Sequence, residues 1–267
     1  MSAIVAFSDV HLGWDRANSD DFMAFMKYLQ GRADLGDVVI VGDLVDLWRR
    51  DIIGLEFELS KYMEELKALQ KKVRVHYVVG NHDAHVEHLE NHEYPFKPQT
   101  SIEINRFGYT VKFLHGHQCD PLQNILGPNT SEILCWTLSD AIGEKKSRLW
   151  EIFGFKGKLP RNQFEAQIDL LLNPPEDIRR TQAFGLVTDF VDCVKANLKI
   201  TGEKEFVVFG HTHKPFIDLK KRVANTGCWI RGMNPTNTYF EFEGWPPSIV
   251  EFGKQPLKPT PLSMLRF

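Results

Sequence analysis

The chain has 267 residues, 43% hydrophobic and 25% charged, and 35 Asp and Glu against 32 Lys and Arg leave a formal net charge of -3. That is enough apolar chain to bury a full core without disulfides, and the charge balance disfavours a general nucleic-acid binder. Cys119, Cys135, Cys193 and Cys228 show no CxxC spacing and read as reduced intracellular thiols, no basic leader precedes the first apolar run, and no run nears the roughly 18 residues of a spanning helix, so a cytoplasmic protein without a transmembrane segment is expected, peripheral membrane contact being left open.

The first predicted element is a strand, Ile4-Val5-Ala6-Phe7, which runs straight into Ser8-Asp9-Val10-His11. Gly13-Trp14-Asp15-Arg16 reads as a loop. Ser19 reads as an N-cap, Phe22, Phe25, Met26 and Leu29 follow at helical spacing, and Gly31 ends the helix. Val38-Val39-Ile40-Val41 is a second buried strand, followed by Gly42-Asp43-Leu44-Val45-Asp46 and then Leu47-Trp48-Arg49-Arg50. Strand, helix, strand is the crossover unit of a layered α/β fold. A helix is predicted from Leu55 to Leu69, with Lys71 and Lys72 at its carboxyl end, where cations are favoured.

Val75-His76-Tyr77-Val78-Val79 leads into Gly80-Asn81-His82-Asp83. The polar stretch from Ala84 to Pro98 reads as a loop with a short helical turn. Ser101 to Ile104 and Tyr109 to Leu114 form a hairpin across Asn105-Arg106-Phe107-Gly108, ending in His115-Gly116-His117. Residues 118–205 carry helical periodicity without strand signals, in Ser131–Ile142, Arg148–Phe155, Phe164–Leu172 and Ala183–Leu198. This stretch reads as a helical cap inserted between halves of a core formed by residues 1–117 and 206–267. Phe206-Val207-Val208-Phe209 then delivers Gly210-His211-Thr212-His213. Short strands at Pro215–Ile217, Val223–Ala224, Tyr239–Phe242 and Ile249–Phe252 are expected to extend a second sheet, and the proline-rich tail from Lys254 reads as irregular.

Five buried strands thus each end in Asp, His or Asn. A lone Asp or His at a strand end is ordinarily a turn residue. Five such ends, this rich in histidine, point to a site at the carboxyl edge of a sheet, where open α/β folds bind ligands. Carboxylate and neutral imidazole together suit Mn, Fe, Zn, Co or Ni. About seven or eight donors are too many for one ion and fit two. Asp43, central among the clusters, is the natural bridging carboxylate. His76, His85, His88 and His92 lack the pattern and read as structural or solvated. The Arg49-Arg50 pair reads as solvated, with Arg49 and Trp48 as substrate-side alternatives.

In order, Asp9-x-His11, Gly42-Asp43-x-x-Asp46, Gly80-Asn81-His82-Asp83, His115-Gly116-His117 and Gly210-His211-x-His213 resemble the motifs of the calcineurin-like metallophosphoesterases. The resemblance implies an α/β fold, a four-layer α/β/β/α sandwich of two mixed sheets. It implies two divalent ions, Mn2+ foremost, the first held by Asp9, His11, Asp43 and His213 and the second by Asp43, Asn81, His115 and His211. His82 would be the general acid, oriented by Asp46, with His117 supporting a ligand or touching substrate. The implied activity is hydrolysis of a small-molecule phosphate ester or pyrophosphate by a hydroxide shared between the ions. Gly42-Asp43-Leu44-Val45-Asp46-Leu47-Trp48 and the helical insertion are similar in layout to UDP-diacylglucosamine pyrophosphohydrolases, which would add an apolar moiety to the substrate. His82 and His117 depart from that branch, where Arg and Asp are usual. Alternatives are a nuclease of the same superfamily, a protein phosphatase (whose usual Arg-Gly is replaced here by Leu47-Trp48) and a catalytically silent scaffold.

Overall fold

Alternation along the first strand sets the layering. In β1 (Ala3–Phe7), Ala3, Val5 and Phe7 enter one apolar cluster while Ile4 and Ala6 enter another. In β2 (Leu35–Val41), Val38 and Ile40 face the first cluster, and Val39 and Val41 the second. Such continuous apolar runs belong to strands covered on both faces. The computed structural model describes residues 2–49, 52–84, 86, 97–119 and 187–262.

The first sheet adds β3 (Arg74–Val78) and β4 (Pro98–Gln99), both running parallel to β1 and β2. Its other edge is an antiparallel hairpin, β10 (Thr238–Phe242) and β11 (Ser248–Glu251), with β10 paired antiparallel to β1. The second sheet contains β5 (Ser101–Arg106), β6 (Tyr109–Leu114), β7 (Glu205–Phe209), β8 (Phe216–Asp218) and β9 (Val223–Asn225), in the order β5-β6-β7-β9-β8. Here β6, β7 and β9 are parallel, and β5 and β8 are antiparallel edges. Both sheets are therefore mixed.

Helices α1 (Ser19–Gly31) and α2 (Ile52–Gln70) cover the outer face of the first sheet through Phe22, Phe25, Met26, Tyr62, Leu66 and Leu69. Helix α3 (Val187–Asn197) covers the outer face of the second through Val191 and Val194, against Val207 and Phe209. The space between the sheets is filled by Ile4, Val39, Val41, Val111, Phe113, Phe206, Val208 and Phe240. These layers are the α/β/β/α sandwich expected from the motifs.

Several expectations need correction. Tyr239–Phe242 and Ile249–Phe252 were expected in the second sheet, yet they join the first, because β10 finds the open edge of β1. Ser19 is the first helical residue, and Asn18 is the N-cap, its side chain turned to Asn237 at 2.7 Å rather than to the helix. Helix α2 starts at Ile52 rather than Leu55. The hairpin turn is tighter than the four-residue connection expected: pairing continues to Arg106 and Tyr109, and Phe107 and Gly108 make the turn at φ 51° and 77°. Cys119 and Cys193 form a disulfide across a sequence separation of 74, and Cys228 is a buried free thiol. The reduced-thiol reading fails because the turn after β6 folds against α3, a proximity that cysteine spacing cannot reveal. Of the proposed cap at 118–205, residues 118–119 and 187–205 are described; Val187–Asn197 form α3, and Glu205 already belongs to β7. The segments Ser131–Ile142, Arg148–Phe155 and Phe164–Leu172, with His85, His88, His92, Arg50 and Cys135, lie outside the described residues. Among the described residues, no helix is long and apolar enough to cross a membrane.

Candidate metal centre

All five motif loops leave the carboxyl ends of parallel strands: β1, β2 and β3 in one sheet, β6 and β7 in the other. The sheets face each other, so both edges open onto one place. The loops are knit by main-chain bonds beyond the strands, among them Asp9 N–H to Gly42 O (3.1 Å), His11 N–H to Asp43 O (3.0 Å), Leu47 N–H to His82 O (3.1 Å) and Gly210 N–H to His115 O (3.0 Å). Asp9, His11, Asp43, His211 and His213 all adopt positive φ, between 52° and 65°. For side-chain-bearing residues this costs on the order of 1–3 kcal/mol each and clusters at working sites. Gly42 (φ 85°) has no such penalty, and a Cβ there would collide with the His115 ring.

Three overlapping groups result: Asp9, His11 and His213; Asp43, His115 and His211; and His11, Asp43 and His82, each with ligand atoms within 4.8 Å of one another. In the first, His213 Nε2 lies 3.2 Å from both Asp9 Oδ1 and His11 Nε2. Asp43 Oδ2 lies 3.8 Å from His11 Nε2 and 3.2 Å from His115 Nε2, so one carboxylate faces both halves. Asn81 Oδ1 is 3.2 Å from His115 Nε2 and 3.1 Å from His211 Nδ1. The sequence-predicted ligands Asp9, His11, Asp43, Asn81, His115, His211 and His213 are thus brought together. His117 lies further out, its ring centroid 5.5 Å from that of His115 and 6.5 Å from that of His211.

A cation fits this donor set. Asp9 is fully buried, and among the described residues its Oδ1 has no well-aligned hydrogen-bond donor, the nearest nitrogen being His213 Nε2 at 3.2 Å, an expensive state for an oxygen that coordinates nothing. Burial pushes the His115 imidazole down, yet the charge and hydrogen bond of Asp43 push it up to about 10. Burial likewise pushes the Asp43 carboxyl up, and the charges of His115 and His82 hold it well below the usual range. The pit demands positive charge. Mixed oxygen and imidazole donors match first-row divalent ions, and His115 Nδ1 sits 2.7 Å from Val41 O, the outer hydrogen bond that orients a ligating ring.

Asp46 is the hub beside this pit. Its Oδ2 lies 3.2 Å from His11 Nδ1 and accepts from Arg49 Nη1 at 2.5 Å, while Oδ1 lies 3.1 Å from His82 Nδ1 and accepts from the Arg49 N–H at 3.1 Å. Burial raises the Asp46 carboxyl, but the His82 charge and the hydrogen bonds from His11 and His82 hold it well below the usual range. Trp48 stacks on His82, ring centroids 4.1 Å apart and planes 27° from parallel. Arg49, expected to be solvated, instead bridges Asp46 and the His82 ring and lies 4.4 Å above the Trp14 ring.

Sequence reasoning missed three supports. Asp83 accepts from Leu44 N–H, Tyr77 Oη and Gly80 N–H at 2.8, 2.6 and 2.7 Å, tying the second and third motifs together. Burial and the Asp43 charge raise its carboxyl to about 6. Ser8 donates to Asp9 Oδ2 and sits 2.5 Å from Thr226 Oγ1. Asn225 holds Gly210 O (2.6 Å) and Thr212 Oγ1 (3.0 Å). Only the Gly80-Asn81-His82-Asp83 run offered a signal, its one acid standing within the motif. His76 lies elsewhere, 2.9 Å from Asp37.

Residues 2–215 match the family profile described as calcineurin-like phosphoesterase. No curated protein matches the sequence. Among solved structures, similar ones include the phosphoesterase Yfce from E. coli (16% identity, covering 96% of each chain, TM-score 0.46). A novel archaeal phosphodiesterase is another (14%, 96% of this chain and 99% of that one, 0.45), as is vacuolar protein sorting 29 from Cryptosporidium parvum (13%, 96% and 95%, 0.44).

Proposed function

Because the chain belongs to the calcineurin-like phosphoesterase family, we propose that it is an enzyme hydrolysing a small phosphate ester or pyrophosphate with two divalent ions, Mn2+ foremost. Asp9, His11, Asp43 and His213 would hold one ion, and Asp43, Asn81, His115 and His211 the other. The observation that carries this is Asp43 Oδ2, which faces His11 on one side and His115 on the other. Bound there, such ions supply charge neutralisation at phosphorus and an acidified water.

The chain's own residues do the rest. Asp46 fixes the His82 ring through Nδ1, leaving Nε2 as the atom that delivers a proton to the departing oxygen. Trp48 holds the plane of that ring by stacking. The same Asp46 orients His11 through its Nδ1, so one carboxylate coordinates proton delivery with ligand geometry. At the outer edge, Phe190 of α3 stacks along His211 with ring centroids 6.2 Å apart, which supports α3 as an apolar wall of the centre. The layout shared with lipid pyrophosphate hydrolases rests on Gly42–Trp48 and the 118–205 insertion, and the substrate proposed here is the wider class of phosphoester or pyrophosphate.

The test is metal analysis with turnover. The purified protein is expected to carry close to two first-row ions per chain. Chelation should abolish hydrolysis of p-nitrophenyl phosphate or its bis ester, and Mn2+ should restore it. A fully folded protein that takes up no metal, and that turns over no monoester, diester, pyrophosphate or single-stranded DNA, would be a scaffold.

A further inference from the structure

The loop after the first motif is not used by the reaction described above. Trp14 N–H bonds His11 O at 3.0 Å, and its ring lies edge-on to His11 at 5.8 Å between centroids. Two guanidinium groups lie against this indole: Arg49 at 4.4 Å and Arg16 at 5.3 Å from the ring centroid. Both distances are within cation–π range. Arg49 has its carboxylate, Asp46. Arg16 makes no ion pair among the described residues. Its guanidinium donates to Arg231 O at 3.1 Å, a neutral acceptor. That carbonyl belongs to a loop locked to the same segment by Arg231 N–H to Arg16 O (2.8 Å) and Asn18 N–H to Trp229 O (2.8 Å). A long side chain is thus tied to one place, without an ion pair among the described residues, against the indole that meets His11.

The direction of this rim is set by its neighbours. Arg49 touches the His82 ring at 3.3 Å, and Trp14 is reached through Arg49. The cationic platform therefore stands on the His82 side, where the leaving oxygen departs. We infer that Trp14 and Arg16, with Arg49 behind them, form a subsite for a second phosphate carried by the leaving group. The preferred substrate class would then be phosphoanhydrides, cleaved so that the leaving group is itself a phosphate, rather than esters of neutral alcohols. A planar guanidinium suits this task because it offers paired donors to phosphate oxygens. This inference rests on the assignment of His82 to the leaving side.

The test uses full-length, Mn2+-loaded protein and two non-hydrolysable probes, methylenediphosphonate and methylphosphonate, measured by calorimetry. Arg16→Gln is expected to weaken diphosphonate binding by roughly tenfold, the scale of one charge-assisted hydrogen bond, and to weaken methylphosphonate binding by clearly less. Arg16→Lys should fall between wild type and Arg16→Gln. In turnover, the Arg16→Gln loss should appear in KM for a nucleoside diphosphate sugar and be smaller for p-nitrophenyl phosphate. Equal losses for both probes, or no loss for either, would overturn the subsite. A protein that binds diphosphonate through Arg16 yet hydrolyses nothing would overturn the proposed reaction and leave the subsite standing. Melting temperatures of both variants separate a binding effect from misfolding.

Discussion

Asp43 Oδ1 accepts the main-chain N–H of His82 at 2.8 Å. One oxygen of the central carboxylate is thereby committed to the third motif loop, and the other is left facing His11 and His115. The loop that carries His82 is thus positioned by the carboxylate proposed above to join two ions, and on that reading metal binding and proton delivery would share a support.

Asp43→Asn should therefore remove more than a charge. An amide can keep the His82 N–H bond only by turning its NH2 toward two imidazoles. Metal content is expected to fall by at least one ion per chain, and turnover by at least about 100-fold, since both halves lose their shared anion. Inductively coupled plasma analysis with steady-state kinetics checks this, and wild-type metal content in the variant would contradict the bridging role.

His82→Ala should separate the two functions. The ring hydrogen-bonds Asp46 and stacks on Trp48, and it also stands within ligand distance of His11 and Asp43. As a proton donor, its loss should cost on the order of 10²–10⁴ in rate while most of the metal stays. If the variant instead loses an ion, His82 is a ligand and not the acid.

Gly210→Ala tests whether close approach, rather than backbone freedom, explains that glycine. A Cβ there would lie 2.6 Å from Asp9 Oδ2 and would also strike Ser8. Asp9 must move, and with it any ion that it would hold. The expected result is weakened metal affinity with a melting temperature near that of wild type when both are measured without metal. Unchanged affinity would show that the loop absorbs the methyl group.

Asp37 governs acid stability from outside the site. Burial pushes its carboxyl up, but hydrogen bonds from His76 and Arg74 and the charges of Arg106 and Arg74 bring it to about 2. The unfolded value is 3.8, so the carboxylate stabilises the fold fully above about pH 4, and this contribution is lost as pH falls from there toward 2. The shift corresponds to about 2 kcal/mol, less what solvent screening removes at the exposed Arg74. Asp37→Asn should lower urea stability at pH 7 and flatten its fall between pH 4 and 2. A parallel acid limb in both proteins would argue against the assignment.

Much of the site could be read from the chain because each ligand sits next to the strand that presents it. A buried run such as Phe206–Phe209 both marks β7 and locates His211 and His213, since a strand end cannot be moved without moving the core it is packed in. That β1 and β2 are covered on both faces was likewise legible from their continuous apolar runs. What could not be read were relations between segments with no local signature. Arg49 lies over Trp14 only because two loops meet. The Ser8–Thr226 contact spans 218 residues, and the Cys119–Cys193 link depends on α3 packing against the turn after β6.

By itself, the sequence determined which atoms are available for chemistry and which strand delivers each, because local periodicity and motif order are properties of the chain. Tertiary structure alone decided that one oxygen of Asp43 faces both His11 and His115, that Asp46 holds both His11 and His82, and that Arg16 stands without an ion pair among the described residues. These depend on distances across two facing sheets, and such distances are set by packing between residues far apart in the chain.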